Sequence, residues 1–253
     1  IENWRANRAS RLKADNGWLA VAGLYWLKPG TNRMGTGPDN DIILPAGSAP
    51  SVVGTVTLAP DGRVSLDVLS NVAVTWNGQP VRQMNLTSDD NGGTPEVLAL
   101  NDLRFFLIKR TKGFALRLRD LNAPARKNFA GIESFPIDPA WRCEARFVPY
   151  DPPRPVEIAS VIGTVDTMES PGCAEFTRDG QTWRLDAILE APGDTEYFFI
   201  FKDATSGYET YPPGRFLYAD LPVNGRLTLD FNKAYNPPCA FTDFATCPLP
   251  PPQ

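Results

Sequence analysis

Apolar and polar residues alternate in short runs along most of the chain, and Gly, Pro, Asn and Asp cut the runs at close intervals. Residues 1–14 depart from this. Ile1, Trp4, Arg8 and Leu12 fall near helical spacing with further arginines around them, and Asn16-Gly17 stops the run, which predicts one short helix. Its expected role is to pack Trp4 and Leu12 against a sheet. Residues 18–27 are aromatic-rich and read as a buried strand, or a strand pair broken near Gly23, ahead of the turn at Lys28-Pro29-Gly30. Further strands are expected at 42–44, 52–59, 63–68, 72–76, 80–86, 103–109 and 114–119. Asn77-Gly78 is a strong two-residue hairpin signal between two of them. The polar stretch 120–127, which contains Pro124, is expected to divide the chain into halves 1–120 and 121–253.

In the second half, strands are expected at 129–136 and 141–150. The latter alternates Arg142, Glu144 and Arg146 with Cys143, Ala145 and Phe147, the pattern of a half-buried strand. Asp151-Pro152-Pro153-Arg154-Pro155 reads as a stiff turn, and a new set of strands starts at 156–166. A hairpin joins 173–178 to 182–189 across Asp179-Gly180. The Pro-rich end, 248–252, is expected to lie extended along the surface. Many short strands without long helical patterns give an all-β class: a β-sandwich, then a second antiparallel sandwich or barrel-like unit, with one short N-terminal helix. At 253 residues the chain is long enough to bury a sizeable core.

Composition narrows the chemistry. The net charge is −4 and no Lys/Arg-rich run is present, which argues against nucleic acid as a partner. The longest apolar stretch, 17–27, is too short to span a bilayer. The chain has no His, so Ser-His-Asp and Cys-His mechanisms and His-ligated metals are excluded. No metal and no cofactor is expected. Cys143, Cys173, Cys239 and Cys247 make an even number, without a CxxC pair that would suggest zinc. Two disulfides would suit a periplasmic or secreted protein. No signal peptide is visible and the chain starts at Ile1, as a mature or trimmed product would. Cys239 and Cys247 flank a short loop and are the disulfide candidates; nothing local joins Cys143 to Cys173.

Two apolar runs, 197–201 and 226–231, each feed a loop rich in polar and aromatic residues. Loop 201–215 offers Asp203, Thr205, Tyr211 and Arg215. Loop 230–247 offers Asp230, Asn232, Tyr235, Asn236 and Cys239. Short strands that deliver polar groups into Gly/Pro-rich loops are a common way to build a site. The planar fork of Arg215 suits a carboxylate, either a ligand's or that of Asp203 or Asp230. Asn232 and Asn236 suit a polar ligand or a turn start; Tyr211 and Tyr235 suit stacking on a flat ligand or packing at a rim. Two function classes follow. One is a module that binds a small polar ligand or a protein partner. The other is a hydrolase or lyase acting on a sugar-like substrate, with Asp203 and Asp230 or Glu209 as acid and base, which for glycoside cleavage needs carboxyls roughly 5–10 Å apart. A chain without His has a narrow acid–base repertoire near neutral pH, which favours the binding module.

Two resemblances add to this. Residues 32–81 carry Gly35, Asp41-Ile42-Ile43-Leu44-Pro45 and Asn77-Gly78, and resemble a forkhead-associated (FHA) domain. Thr36 stands where that family has its phosphate-binding Arg, and Ser51-Val52-Val53-Gly54 lacks its Arg and His, so the resemblance implies the sandwich scaffold without phosphopeptide binding. The second resemblance covers nearly the whole chain. Phe201, Asp203, Thr205, Gly207, Thr210, Tyr211, Gly214 and Arg215 form one motif. Asp230, Phe231, Asn232, Ala234, Tyr235, Asn236, Pro237, Cys239, Ala240, Cys247, Pro248 and Pro250 form another. Together they resemble the bacterial family catalogued as domain of unknown function 1684, which makes a site in these loops more plausible without naming its ligand.

Overall fold

The computed structural model describes residues 1–251. Its backbone divides into two compact units, one of Arg11–Ala130 and the other of Ile1–Ser10 with the chain from Gly131 onward. The first has eleven strands: β1 (Val21–Trp26), β2 (Gly30–Gly35), β3 (Ile42–Ile43), β4 (Gly54–Leu58), β5 (Val64–Val68), β6 (Thr75–Trp76), β7 (Gln79–Pro80), β8 (Gln83–Leu86), β9 (Leu98–Leu100), β10 (Leu103–Arg110) and β11 (Gly113–Asp120). They form two sheets, ordered β1-β11-β10-β9-β6-β7 and β3-β2-β4-β5-β8. Met34, Val56 and Leu66 of one sheet and Phe105, Leu107, Leu116 and Leu118 of the other belong to a single buried cluster, so the unit is a sandwich. The Asn77-Gly78 hairpin forms where expected, with φ of 49° and 77°, the left-handed pair that a tight two-residue connection demands.

Two elements differ from the sequence reading, each for a local reason. Residues 18–27 hold one strand, β1 (Val21–Trp26), preceded by a single 3-10 turn at Trp18–Ala20. Strand β2 was not foreseen, because its first inward position, ahead of Met34, is the polar Asn32. That side chain is buried yet satisfied: its oxygen accepts from Lys28 N at 2.9 Å, and its amide donates to the carbonyls of Lys28, Gly30 and Val56.

The second unit holds β12 (Arg142–Ala159), β13 (Val165–Arg178), β14 (Gln181–Leu189), β15 (Glu196–Phe201), β16 (Arg215–Asp220) and β17 (Arg226–Asp230), in the order β16-β15-β14-β13-β12-β17. The open side is stitched just after β17, where Phe216 and Tyr235 exchange two backbone hydrogen bonds of 2.9 Å. The sheet is therefore a nearly closed barrel. Ala145, Ala174 and Ala187 on β12–β14 face the large rings of Tyr197, Phe199 and Phe201 on β15, with Leu217, Leu227 and Leu229 completing the core. Small residues on one wall make room for aromatics from the other, the usual way a small barrel fills its interior.

Residues 151–155 are not a turn. β12 runs through them, but between Pro149 and Arg154 it advances five positions while β13 advances two, from Gly172 to Ser170. Prolines 152, 153 and 155 lack the N–H that regular pairing needs, so the surplus residues loop out of the ladder as a bulge, the device that bends a strand. Residues 129–136 form no strand. The helix Glu2–Lys13 forms, and its first nine residues, through Ser10, belong to this second unit. Trp4 lies 6.1 Å from the Tyr235 ring, Arg8 sits 3.8 Å over the same ring, and Arg5 and Arg8 donate to the carbonyls of Phe135 and Asn236. At the Pro-rich end, Val161 N donates to Cys247 O and Leu249 N to Ala159 O; Pro252 lies outside the described residues.

Candidate functional site

The loop after β15 is a knot of its own polar groups. Asp203 Oδ1 accepts from Thr205 N at 3.0 Å and from Thr205 Oγ1 at 2.6 Å. Its other oxygen pairs with Arg215 Nη2. Thr205 O accepts from the amides of Tyr208, Glu209 and Thr210, and the hydroxyls of Thr205 and Thr210 lie 2.9 Å apart. Arg215 is thus spent on Asp203, next door in the same loop, and makes no hydrogen bond to Asp230. Its Nε is buried with no hydrogen-bond partner.

The polar groups of the second loop are likewise already engaged, within the loop and with its neighbours. Asp230 Oδ1 caps the following 3-10 turn by accepting from Asn232 N, and also from Asn232 Nδ2. Asn232 reads the backbone of Asp138 in both directions, accepting from its N–H and donating to its C=O, each at 2.9 Å. Tyr235 packs against Phe216, Tyr218, Trp4 and Arg8. Asn236 Oδ1 accepts from Tyr211 N at 3.5 Å, and Tyr211 OH donates to Cys239 O at 3.2 Å. Burial and the nearby Asp243 push the Tyr211 hydroxyl above its ordinary range. Cys239 and Cys247 are joined, with Cα atoms 6.2 Å apart, while Cys143 and Cys173 are free thiols. The candidate residues therefore fall into separate clusters: Asp203, Thr205 and Arg215; Asp230 and Asn232; Tyr211, Asn236 and the disulfide. The groove beside Tyr211, Gly214, Phe216 and Cys247 has no interior room for a water-sized molecule.

Space opens elsewhere in the same unit. A cleft of about 560 Å3 is lined by Tyr150, Arg154, Pro155, Val156 and Glu157 of β12 and by Arg184 and Asp186 of β14. Tyr150 OH donates to Asp186 Oδ1 at 2.7 Å. Its pKa is driven well above that of a free tyrosine by burial first, then by the Asp186 bond and the neighbouring Cys173. Arg154 lies 3.9 Å over the Tyr150 ring. Arg184 is held by Glu175 through Nε and Nη2, at 2.8 and 2.7 Å, and Glu175 also takes Arg146 at 2.6 Å. Those two arginines hold the Glu175 carboxyl below its usual range. Arg154 and Glu157 have no hydrogen-bond or ion-pair partner among the described residues. None of these lining residues was singled out in the sequence. Arg154 sat in a segment read as a turn, and Tyr150, Arg184 and Asp186 come from strands whose proximity only the folded sheet reveals.

Fold and site together define an all-β protein whose second unit is a small barrel with a polar, charged cleft on its wall. The chain belongs to the family described as "Protein of unknown function (DUF1684)", whose pattern matches residues 127–253. No curated protein matches the chain. Among solved structures, an uncharacterised protein of Haloarcula marismortui, determined by solution NMR, is 31% identical, with 50% of this chain and 71% of that one covered and a TM-score of 0.43. The FHA domain of a Chlamydia trachomatis protein is similar at 21% identity over 37% of this chain and 81% of that one, with a TM-score of 0.26. Among the described residues no helix is long and apolar enough to cross a membrane.

Proposed function

We propose that the protein is a binding module for a small polar ligand, and that the ligand lies in the cleft between the bent part of β12 and β14. The observation that carries this reading is the Arg154 guanidinium. It is stacked on Tyr150 at the edge of a cleft of about 560 Å3, with its hydrogen-bonding capacity unspent, and a cleft of that size falls in the range that small-molecule sites occupy. Loops 201–215 and 230–247, where the sequence placed the ligand, serve in this reading as the frame: their polar side chains are engaged with one another and with Asp138, beside the backbone seam of Phe216 and Tyr235. Catalysis by a carboxylate acid is less well supported. Every carboxylate with a displaced pKa (Asp41, Asp61, Asp89, Asp90 and Glu175) is displaced downward, the wrong direction for a general acid near neutral pH. The Cys239–Cys247 link supports an oxidising, periplasmic or secreted setting.

The test is native mass spectrometry against a pool of small polar metabolites, with Glu157→Trp as a variant that fills the cleft from an exposed position. Adducts on the wild type that the variant loses are expected. Adducts unaffected by the variant, or none from the whole pool, reject the cleft.

A further inference from the structure

In the first unit, Leu116 and Leu118 of β11 face the sandwich core, so Ala115, Arg117 and Arg119 form a row on the opposite face of the sheet. In the ladder Arg117 stands between Leu24 of β1 and Phe106 of β10, and Trp18 lies 5.0 Å from its guanidinium. At 5% exposure it is the only charged residue among those described that is buried outright. Its Nε and Nη2 are both buried without a hydrogen-bond partner among the described residues. Two positions along the same row, Arg119 Nε is buried and unpartnered too, its guanidinium 4.7 Å over the Phe106 ring.

The acids close by are engaged. Asp89 accepts from Arg110 through both oxygens, at 2.8 and 2.9 Å, and from Lys109 N at 3.0 Å; Asp90 pairs with Lys109 at 3.1 Å. Trp18 attracts the Arg117 charge but takes no hydrogen bond from Nε or Nη2. Burial first, then the like charge of Arg110, lower the Arg117 pKa to about 10. Buried charges are as a rule paired, because an uncompensated one is strongly destabilising.

The two idle nitrogens define what fits. Their N–H groups lie side by side in the guanidinium plane, a fork that matches a carboxylate. Arg184 uses the same two atoms on Glu175 in the second unit, at 2.8 and 2.7 Å. A single negative charge balances Arg117. A multiply charged phosphate or sulfate carries a larger desolvation cost into surroundings made by Trp18, Leu24 and Phe106, whereas an apolar body suits them.

We infer that Arg117 anchors a ligand site on the first unit for a small organic acid, whose carboxylate takes Nε and Nη2 while its apolar body lies along Phe106 and Trp18. Neither nitrogen has exposed surface, so the acid enters as the Trp18 ring swings aside. That ring belongs to a single 3-10 turn outside the sheet and is itself only partly buried.

The experiment titrates the protein, in a buffer free of carboxylates, with benzoate and hexanoate, with the neutral benzamide and hexanamide, and with inorganic phosphate and sulfate. Calorimetry reads the Tm of the first unit, marked by the core variant Phe105→Ala, and tryptophan emission reads Trp18 by difference from Trp18→Phe. Both acids are expected to raise that Tm saturably and to shift the Trp18 emission, and the amides to do neither. Arg117→Lys keeps a charge without the fork and should weaken the acids about tenfold. Arg117→Met removes the uncompensated charge; it should melt above the wild type without acid and no longer respond to acid. An unchanged response in Arg117→Met, an equal response to the amides, or no response to either acid overturns the inference. Phosphate or sulfate acting as strongly as benzoate rejects the organic acid as the ligand. A lower Tm for Arg117→Met, with a wild type indifferent to acid, makes Arg117 a structural clasp for Trp18. These readouts concern the first unit alone, so the cleft of the second stands or falls separately with Glu157→Trp.

Discussion

The Cys239–Cys247 link closes a loop whose ends are eight positions apart, and its contribution follows from chain statistics. Cross-linking removes conformations from the unfolded chain, and for a loop of this length the entropy term comes to about 2.5 kcal/mol at 25 °C. The folded side supports the same sign. Cys239 O accepts from Tyr211 and Cys247 O from Val161 N, so the linked segment fastens both the loop after β15 and the tip of the β12–β13 hairpin. The perturbation is the double variant Cys239→Ala/Cys247→Ala, compared with the wild type in the presence and absence of reductant. For a unit of this size the loss corresponds to a fall in Tm of about 10 °C. Differential scanning calorimetry reads it, and Phe199→Ala, which cuts into the barrel core, identifies the transition that belongs to the second unit. A shift under about 2 °C would mean that the remaining contacts already restrict the reduced loop, and loop-closure reasoning fails. A fall well beyond about 20 °C would refute it too, since the link would then hold far more than its own loop.

Arg215→Ala should cost about 2 kcal/mol in a urea titration. That is less than the loss of a fully buried pair, because the Arg215 side chain is 13% exposed but Asp203 is 38% exposed and recovers water when left alone. An unchanged midpoint would show that the pair is idle. Gly214→Ala should destabilise by at least about 2 kcal/mol: its φ is +131°, and a Cβ there would stand 2.6 Å from Phe201 O and 2.7 Å from Pro250 Cγ. A neutral effect would mean that this turn relaxes freely. In alkali, Tyr150 and Tyr218 stay protonated in the folded state after free tyrosines ionise, both raised mainly by burial and then by their bonds to Asp186 and Glu190. Folded pKa values above unfolded ones give stability that is complete below about pH 10 and declines as pH rises beyond it. Tyr218→Phe should flatten that decline, and an identical pH profile for the variant would contradict the assignment.

The sequence was most informative where a local backbone requirement picks the residue. Asn77-Gly78 and Asp179-Gly180 mark hairpins because both positions of each turn adopt positive φ, which few other residue pairs tolerate. It was silent where tertiary contacts override pattern. Asn32 sits at an inward position because the backbone of neighbouring segments satisfies it, and no periodicity announces that. The proline run at 152–155 looked like a turn, since proline signals both a chain reversal and an unpaired bulge, and only the partner strand decides between them. For the site, Arg215 was read as suited to a carboxylate, a ligand's or that of Asp203 or Asp230, and it pairs with Asp203. Tyr150, Arg184 and Asp186 carried no local mark, because their meeting depends on how β12 bends against β14.

The stitching of Phe216 to Tyr235 sets an order of events during synthesis. The barrel lacks its seam until the segment after β17 has left the ribosome, and Arg8 finds its acceptor only at Asn236, 228 positions later. Contacts so distant along the chain form late and slowly. Until its last strand and seam arrive, the second unit is therefore an open sheet whose β16 margin is unprotected, the kind of edge that invites misassembly. Purified chains truncated after Leu229 should accordingly be cleaved by protease within β15 and β16, and chains that continue beyond Cys247 should resist. Equal protection at both lengths would show that the sheet is secure before it is sealed.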